Sequence, residues 1–379
     1  MTQNTLDYII IGPAYPFRGG ISDTQHQFAK ALQKEGKKVK IFTFTKLYPK
    51  FIFPGKSQLT IDKISPNLNI LPQIHAFNPL NWRKIAKKIN SIKPKQVVFR
   101  YYTPFLAPAY GNIAKHIDTD IKKIALVDNW KPHEKSIWDT YLNRFFGEKI
   151  DLFTTLSENV ANQLKKEFLK PIWSGFHPIP ENLPKLIPQK TARNKLKWDQ
   201  EKKIVLFYGL IRKYKGVELL IKSFAEEALL NKNFSLYIAG ECYENSKKYT
   251  DLVNKLNLNN RVRFDFTFQS IEKTQLLFSA ADCVAQTYHS ATQSGVTPLS
   301  YFYEKPLLVS DIDGLRTPVI KDKTGICTGI KTKLIAQNLS NLLKDENLSK
   351  FQKNILKNKK KYQWNSFVKK WDSFIIKNI

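Results

Sequence analysis

The stretch that decides the fold is Tyr8 to Phe44, YIIIGPAYPFRGGISDTQHQFAKALQKEGKKVKIFTF. Tyr8-Ile9-Ile10-Ile11 is a short β-branched run ending at Gly12-Pro13, which reads as a buried strand running into a loop. From Asp23 to Glu35 the apolar residues Phe28, Ala29 and Leu32 share one helical face, and Gly36 closes the helix. Val39 to Phe44 is the next strand. A strand, a helix and a second strand of this kind make a βαβ unit, and such units build parallel sheets.

The same alternation continues outward. Residues 96–100, 124–128 and 152–156 read as strands. Pro171 to Pro188 has no clear period, carries Pro178, Pro180 and Pro184, and reads as an interdomain linker. Strands are then expected at 204–209, 234–239, 262–266, 283–286 and 306–310. Helices are expected at 217–230, 249–256, 271–280 and 295–303, and a lysine-rich helix ends the chain. No short internal repeat is visible. The expected architecture is α/β, with two doubly wound Rossmann-like domains at 1–180 and 181–360 facing a central cleft. A C-terminal helix at 361–379 is expected to cross back to the first domain. Ligands of such sheets lie beyond the carboxyl ends of the strands, so the loops after the strands are where chemistry is sought.

The composition bounds the function. The chain has 379 residues, 61 basic against 32 acidic, and a formal charge of +29. Only nine of the basic residues are arginine; the other 52 are lysine. Arginine is the residue of bidentate phosphate and base readout, so this excess describes a surface field more than a nucleic-acid reader. It reflects either a lysine-biased composition or attraction to an anionic partner. No zinc finger, RNP-like motif or basic helix-turn-helix occurs. Cys242, Cys283 and Cys327 are far apart and form no metal-ligand spacing. The start, 1–7, lacks the basic-then-apolar order of a secretory signal. No apolar stretch approaches the roughly 20 residues that span a bilayer. The expectation is a cytoplasmic protein, peripheral on the inner face of the membrane if it touches one.

Three loops carry candidate chemistry. In FYGLIRKYKG (207–216), a buried strand ends at Gly209 and a basic loop follows. Arg212 and Lys215 there suit a diphosphate, or the loop is simply solvated. In TYHSATQSGVTP (287–298), a hydroxyl-rich loop enters a helix. The amides of Ser294, Gly295 and Val296 form an anion site, or Thr292 or Ser294 acts as an ordinary N-cap. After the first strand, Gly19-Gly20 permits close backbone approach to a ligand, or makes a tight turn.

Taken jointly, these segments resemble the GT-B-fold glycosyltransferases of the large retaining family GT4, across nearly the whole chain. The carriers are GPxxPxRGGI (12–21), Leu156-Ser157-Glu158, GLIRKYKG (209–216), Tyr237 to Glu241, Ala280-Ala281-Asp282, and ATQSGVTPLSYFYEKPLLVSDIDGL (291–315). The resemblance implies transfer of a sugar from a UDP- or GDP-sugar, with retention, to a glycan or lipid-linked acceptor, and no required cofactor. It implies that Gly20 lets the backbone approach the donor diphosphate and that Lys215 is the phosphate-binding lysine. The arginine usual after the strand glycine falls on Leu210, so Arg212 supplies that charge from two residues on. Gly295 and Val296 match the turn that holds the distal phosphate.

The family's two glutamates around this turn fall on Thr292 and Ser300, and Glu304 is the substitute offered for the lost ribose contact. His133, past the strand end at Asp128, is implied as a polar contact to the reacting sugar, or is a structural loop histidine. Asp128 and Glu134 are weaker candidates. No metal ligands are assigned; Asp311-Ile312-Asp313 has DxD spacing but falls on a structural loop.

For the acceptor, two segments mix basic and apolar residues: 46–54, and Trp82 to Ile89, where Trp82, Ile85 and Ile89 share a helical face ringed by lysine. Either this is an interfacial helix facing an anionic membrane, or it packs on its own sheet. The competing functions are a catalytically altered sugar-nucleotide-binding protein, a GT-B sugar-nucleotide epimerase, and a basic nucleic-acid-binding protein.

Overall fold

The computed structural model describes residues 5–48, 58–59, 67–131, 137–181, 183–230 and 232–378. The chain divides into two compact units: residues 1–178 together with 364–379, and residues 179–363.

The first unit holds a parallel sheet of seven strands: β1 (Tyr8–Ile11), β2 (Val39–Lys46), β3 (Ile70–His75), β4 (Gln96–Tyr101), β5 (Lys122–Val127), β6 (Leu152–Thr155) and β7 (Ile172–Ser174). Their spatial order is β3-β2-β1-β4-β5-β6-β7. Tyr8 pairs in parallel with Val39 on one side and Gln96 on the other. Both faces are covered, which is why β1 is apolar at every position. Ile9 and Ile11 pack with Phe42, Val97, Trp82 and Ile85 on one face. Tyr8 and Ile10 pack with Phe28, Leu32, Val98 and Trp371 on the other.

The C-terminal helix, Trp364–Lys377, belongs to this second face. Trp371 lies 5.1 Å from the Phe28 ring and 5.4 Å from Tyr8, and the Tyr8 hydroxyl donates to Asp372 at 2.9 Å. The stretch expected to be linker from Pro171 onward is therefore structured at its start, where Ile172–Ser174 forms the edge strand beside β6.

The second unit holds a parallel sheet of six strands: β8 (Lys203–Tyr208), β9 (Phe234–Ala239), β10 (Val262–Asp265), β11 (Cys283–Gln286), β12 (Leu307–Ser310) and β13 (Gly325–Thr328). Their order is β10-β9-β8-β11-β12-β13. The strand order reverses direction between β8 and β11, so the carboxyl ends of these two strands flank the crevice where such sheets take ligands. The sequence reading of both halves as doubly wound α/β holds. The long helix expected at 217–230 is instead two, Val217–Ser223 and Glu227–Leu230.

Candidate functional site

In the second unit, β8 ends at Gly209, whose φ of +105° belongs to the region glycine favours. Gly240, at the end of neighbouring β9, lies so close that a Cβ there would stand 2.1 Å from the Gly209 carbonyl oxygen. The loop then runs through Arg212 in extended conformation and a 3-10 turn, Lys213–Lys215, to Gly216. Gly216 has φ +63°, and a Cβ on it would meet the Thr287 carbonyl oxygen at 1.9 Å. This close approach lets the strand exit of β11 clasp the basic loop. Thr287 Oγ1 donates to the Gly216 carbonyl at 3.0 Å, and the His289 amide donates to the Tyr214 carbonyl at 2.7 Å.

The clasp fixes Lys215. Its Nζ lies 3.3 Å from the point a Cβ on Gly209 would occupy, and Val296 Cγ2 lies 3.5 Å from the same point. The structure thus brings Lys215, Gly209 and Val296 to one spot. Among the described residues no carboxylate lies within ion-pair distance of Lys215 or of Arg212. Lys215 Nζ sits instead over the Tyr288 ring, 5.2 Å from its centroid, and the Arg212 guanidinium over Tyr243 at 5.0 Å. Burial holds the Lys215 ammonium below its ordinary pKa; Tyr214 opposes that shift and the Arg212 charge adds to it.

The second loop enters the helix Val296–Phe302 at Gly295. Ser294 Oγ accepts from the Val296 amide at 3.2 Å, so one amide of the expected anion site is already used as a cap. Thr292 is buried at 7% exposure. Ser300 is wholly buried, and its hydroxyl donates back to the Val296 carbonyl at 2.9 Å. Glu304 lies beyond the far end of this helix with φ +57°, and its carboxylate accepts from Lys359 at 2.7 Å. The structure gives Glu304 that ion pair at the end of the helix opposite Val296.

In the first unit, Gly19 is the N-cap of the helix Gly20–Lys34, with φ +111°. Among the described residues, a Cβ on either Gly19 or Gly20 would meet nothing within 4 Å. Asp128 is buried and held by Arg100, whose Nε and Nη2 donate to its two oxygens at 2.5 and 2.7 Å. Arg100 offsets its charge, a pairing that a buried carboxylate needs. His133 and Glu134 lie outside the described residues. His26, in the second turn of the same helix, accepts from the Tyr15 amide at 2.9 Å. Burial, helped by Lys30, lowers its pKa to about 4.

Of the two readings of the amphipathic helix, packing on its own sheet is the one the structure bears out. The helix Pro79–Ile92 buries Trp82, Ile85, Ala86 and Ile89 in the core of its own unit, and Trp82 Nε1 donates to the His75 carbonyl at 2.9 Å. An amphipathic stripe of this kind serves a sheet as well as it serves a membrane. In the other candidate segment, residues 49–57 lie outside the described ones. Among the described residues no helix is long and apolar enough to cross a membrane, and no three His, Cys, Asp or Glu side chains group as a metal site.

Residues 188–362, nearly all of the second unit, match the family model described as Glycosyl transferases group 1. No curated protein matches the chain significantly. The whole chain is similar in fold to sucrose-phosphate synthase from Thermosynechococcus elongatus, with a TM-score of 0.75 and 15% identity over 98% of both chains. It is similar to Anabaena HepE in complex with UDP, with a TM-score of 0.75 and 14% identity over 98% of this chain and 100% of that one. WaaG, a glycosyltransferase involved in lipopolysaccharide biosynthesis, aligns at 0.64 and 14% over 96% and 98%. Identities this low speak for the fold, which is GT-B.

Proposed function

We propose that this chain, whose residues 188–362 match the model of the glycosyl transferases group 1 family, transfers a sugar from a nucleotide-diphosphate sugar to a glycan or lipid-linked acceptor with retention of configuration. The observation that carries this reading is a pair of cations, Arg212 and Lys215, that have no acid partner among the described residues and lie at the carboxyl ends of β8 and β11. HepE, similar in fold, has been seen with UDP and with UDP-glucose. A UDP- or GDP-sugar is the donor class that the two cations suit.

During transfer the bond from the sugar C1 to the β-phosphate oxygen breaks and a bond from C1 to the acceptor oxygen forms. Negative charge grows on the leaving diphosphate. Arg212 and Lys215 stand ready to stabilise it, with backbone amides near Gly295 assisting. The acceptor proton passes to the leaving phosphate oxygen, so no paired carboxylates of the hydrolase kind are needed. The retaining GT4 subtype and a surface-glycan or glycolipid acceptor belong to this proposal, as does a cytoplasmic location with peripheral attraction to an anionic membrane.

Arg212→Ala and Lys215→Ala test it. Each should lower transfer from a UDP- or GDP-sugar by about 100- to 1000-fold with the fold intact, and proton NMR of the product gives its anomeric configuration. Unchanged rates in both variants would sink the assignment. One observation favours a second reading, a sugar-nucleotide-binding protein that does not transfer. Neither Thr292 nor Ser300 offers a carboxylate, and both are buried. Tight nucleotide-sugar binding with no transfer to any acceptor would establish it.

A further inference from the structure

Arg212 and Lys215 lie on one loop, but the rings beneath them come from elsewhere. Tyr243 follows β9 and Tyr288 follows β11, the two strands that flank β8 in the sheet. Each ring is fixed independently of the cation it faces. The Tyr243 amide donates to the Ile211 carbonyl at 3.1 Å while the Ile211 amide donates to the Glu241 carbonyl at 2.9 Å, tying the two loops side by side. The Tyr243 hydroxyl donates to Glu241 Oε2 at 3.3 Å, engaging a nearby carboxylate. Tyr288 is 2% exposed and packs against Phe207 at 6.4 Å and edge-on against Tyr214 at 6.3 Å. The groups facing Lys215 are Tyr288, Tyr214 and Arg212.

Four other arginines of this chain are settled on acids: Arg100 on Asp128, Arg193 on Asp282, Arg144 on Glu148 and Arg316 on Asp311; Arg261, over the Phe224 ring, spends its guanidinium on the carbonyls of Phe224, Leu229, Leu230, Lys232 and Phe234. A phosphate arriving at such a pair must displace a carboxylate or sit beside it. A cation over an aromatic face keeps its charge, is held in place, and meets no competing anion.

We propose that Tyr243 and Tyr288 are positioning residues that hold Arg212 and Lys215 as uncommitted cations for the donor diphosphate. This rests on the donor reading given above and deepens it: the specificity of the site for a diphosphate comes from aromatic rings taking the place of acids.

The test uses the full-length protein with four variants, Tyr243→Leu, Tyr243→Phe, Tyr288→Leu and Tyr288→Phe. Calorimetry with UDP and GDP reads affinity, and pH-dependent acylation read by mass spectrometry follows the titration of Lys215. Each leucine variant should bind the nucleoside diphosphate roughly 3- to 30-fold more weakly, and each phenylalanine variant should recover most of that loss, because the ring carries the cation contact. The Lys215 midpoint should fall in Tyr288→Leu and stay in Tyr288→Phe. Leucine variants that match the wild type in affinity and titration overturn the proposal. Phenylalanine variants as impaired as the leucine ones also overturn it, since the hydroxyl would then be the active part. If Tyr288→Leu fails to fold, the half-buried Tyr243 pair decides the matter alone. A wild type that binds neither nucleotide refutes the donor reading, and the Lys215 titration still supports or overturns the role of Tyr288.

Discussion

Replacing Gly216 with alanine tests whether the clasp between the basic loop and β11 builds the site. The new methyl would stand 1.9 Å from the Thr287 carbonyl oxygen and 3.0 Å from its carbon. Both atoms are backbone, so no rotamer change relieves the contact. Alanine at φ +63° also carries about 1–2 kcal/mol of left-handed strain. The loop must move, breaking the bonds from Thr287 Oγ1 to Gly216 and from the His289 amide to Tyr214, each worth about 0.5–1.5 kcal/mol net. Alanine's less flexible unfolded chain returns about 0.4–1 kcal/mol. The net loss is about 1–5 kcal/mol, which lowers the melting temperature of the second unit by about 2–20 °C. Lys215, carried by the moved loop, leaves Val296, and UDP affinity falls with it. The control is Gly36→Ala. Its φ of +78° imposes a similar backbone cost, but a Cβ there meets nothing within 4 Å. Scanning calorimetry and UDP titration of both variants give the comparison. A Gly216→Ala protein that loses no more stability than Gly36→Ala and binds UDP like the wild type would refute the reasoning.

The remaining predictions concern the first unit. His26 has a folded pKa near 4 against about 6.5 unfolded, so the unfolded chain binds the extra proton. Its contribution is present in full above about pH 6.5 and is lost as pH falls toward 4, up to about 3 kcal/mol. Denaturant unfolding across that window should show the slope, and His26→Gln should flatten it. Trp371→Ala removes a fully buried ring packed on Phe28 and Tyr8, and should cost about 3–5 kcal/mol in urea unfolding while leaving UDP affinity in place. Trp82→Ala should destabilise by a similar amount, and its binding to anionic vesicles at low salt, read by flotation, should equal that of the wild type.

The strands that were legible in the sequence and those that were not differ in their place in the sheet. Residues 234–239 and 283–286 match β9 and β11 to the residue, and β1 is equally clear. These strands have neighbours on both sides and helices on both faces, which forces an unbroken apolar run. The strands that went unread, β3, β7 and β13, all lie at sheet edges. β3 contains Pro72, which an edge tolerates, and β7 is three residues inside a proline-rich stretch. An edge strand needs less apolar burial, so its pattern is weaker. The stripe of Trp82, Ile85 and Ile89 left a membrane and the unit's own sheet as alternatives for a related reason, and the structure shows the sheet. A 3.6-residue stripe shows that a helix has an apolar side and says nothing of what covers it.

At the site, Arg212 and Lys215 were legible because a basic loop after a buried strand leaves few structural uses for its charges. Tyr243 and Tyr288 were not, because an aromatic residue just past a strand end reads as core. Nor was the role of Asp128, whose bidentate partner Arg100 lies 28 residues earlier and is brought to it by the parallel pairing of β4 with β5. The net charge of +29 first drew attention to binding an anion, yet it is a poor guide to where. Lysines 95, 123, 203, 222, 248, 359 and 361 are each set against an acid, and such pairs contribute little to capture of an outside ligand. What marks Arg212 and Lys215 is the environment around the charge. They are placed together at the sheet's ligand end by glycines that permit backbone contact, each over an aromatic ring and, among the described residues, neither with an acid in ion-pair distance. A search for anion sites in strongly basic chains therefore does better to look for cations that lack acids than for regions rich in cations.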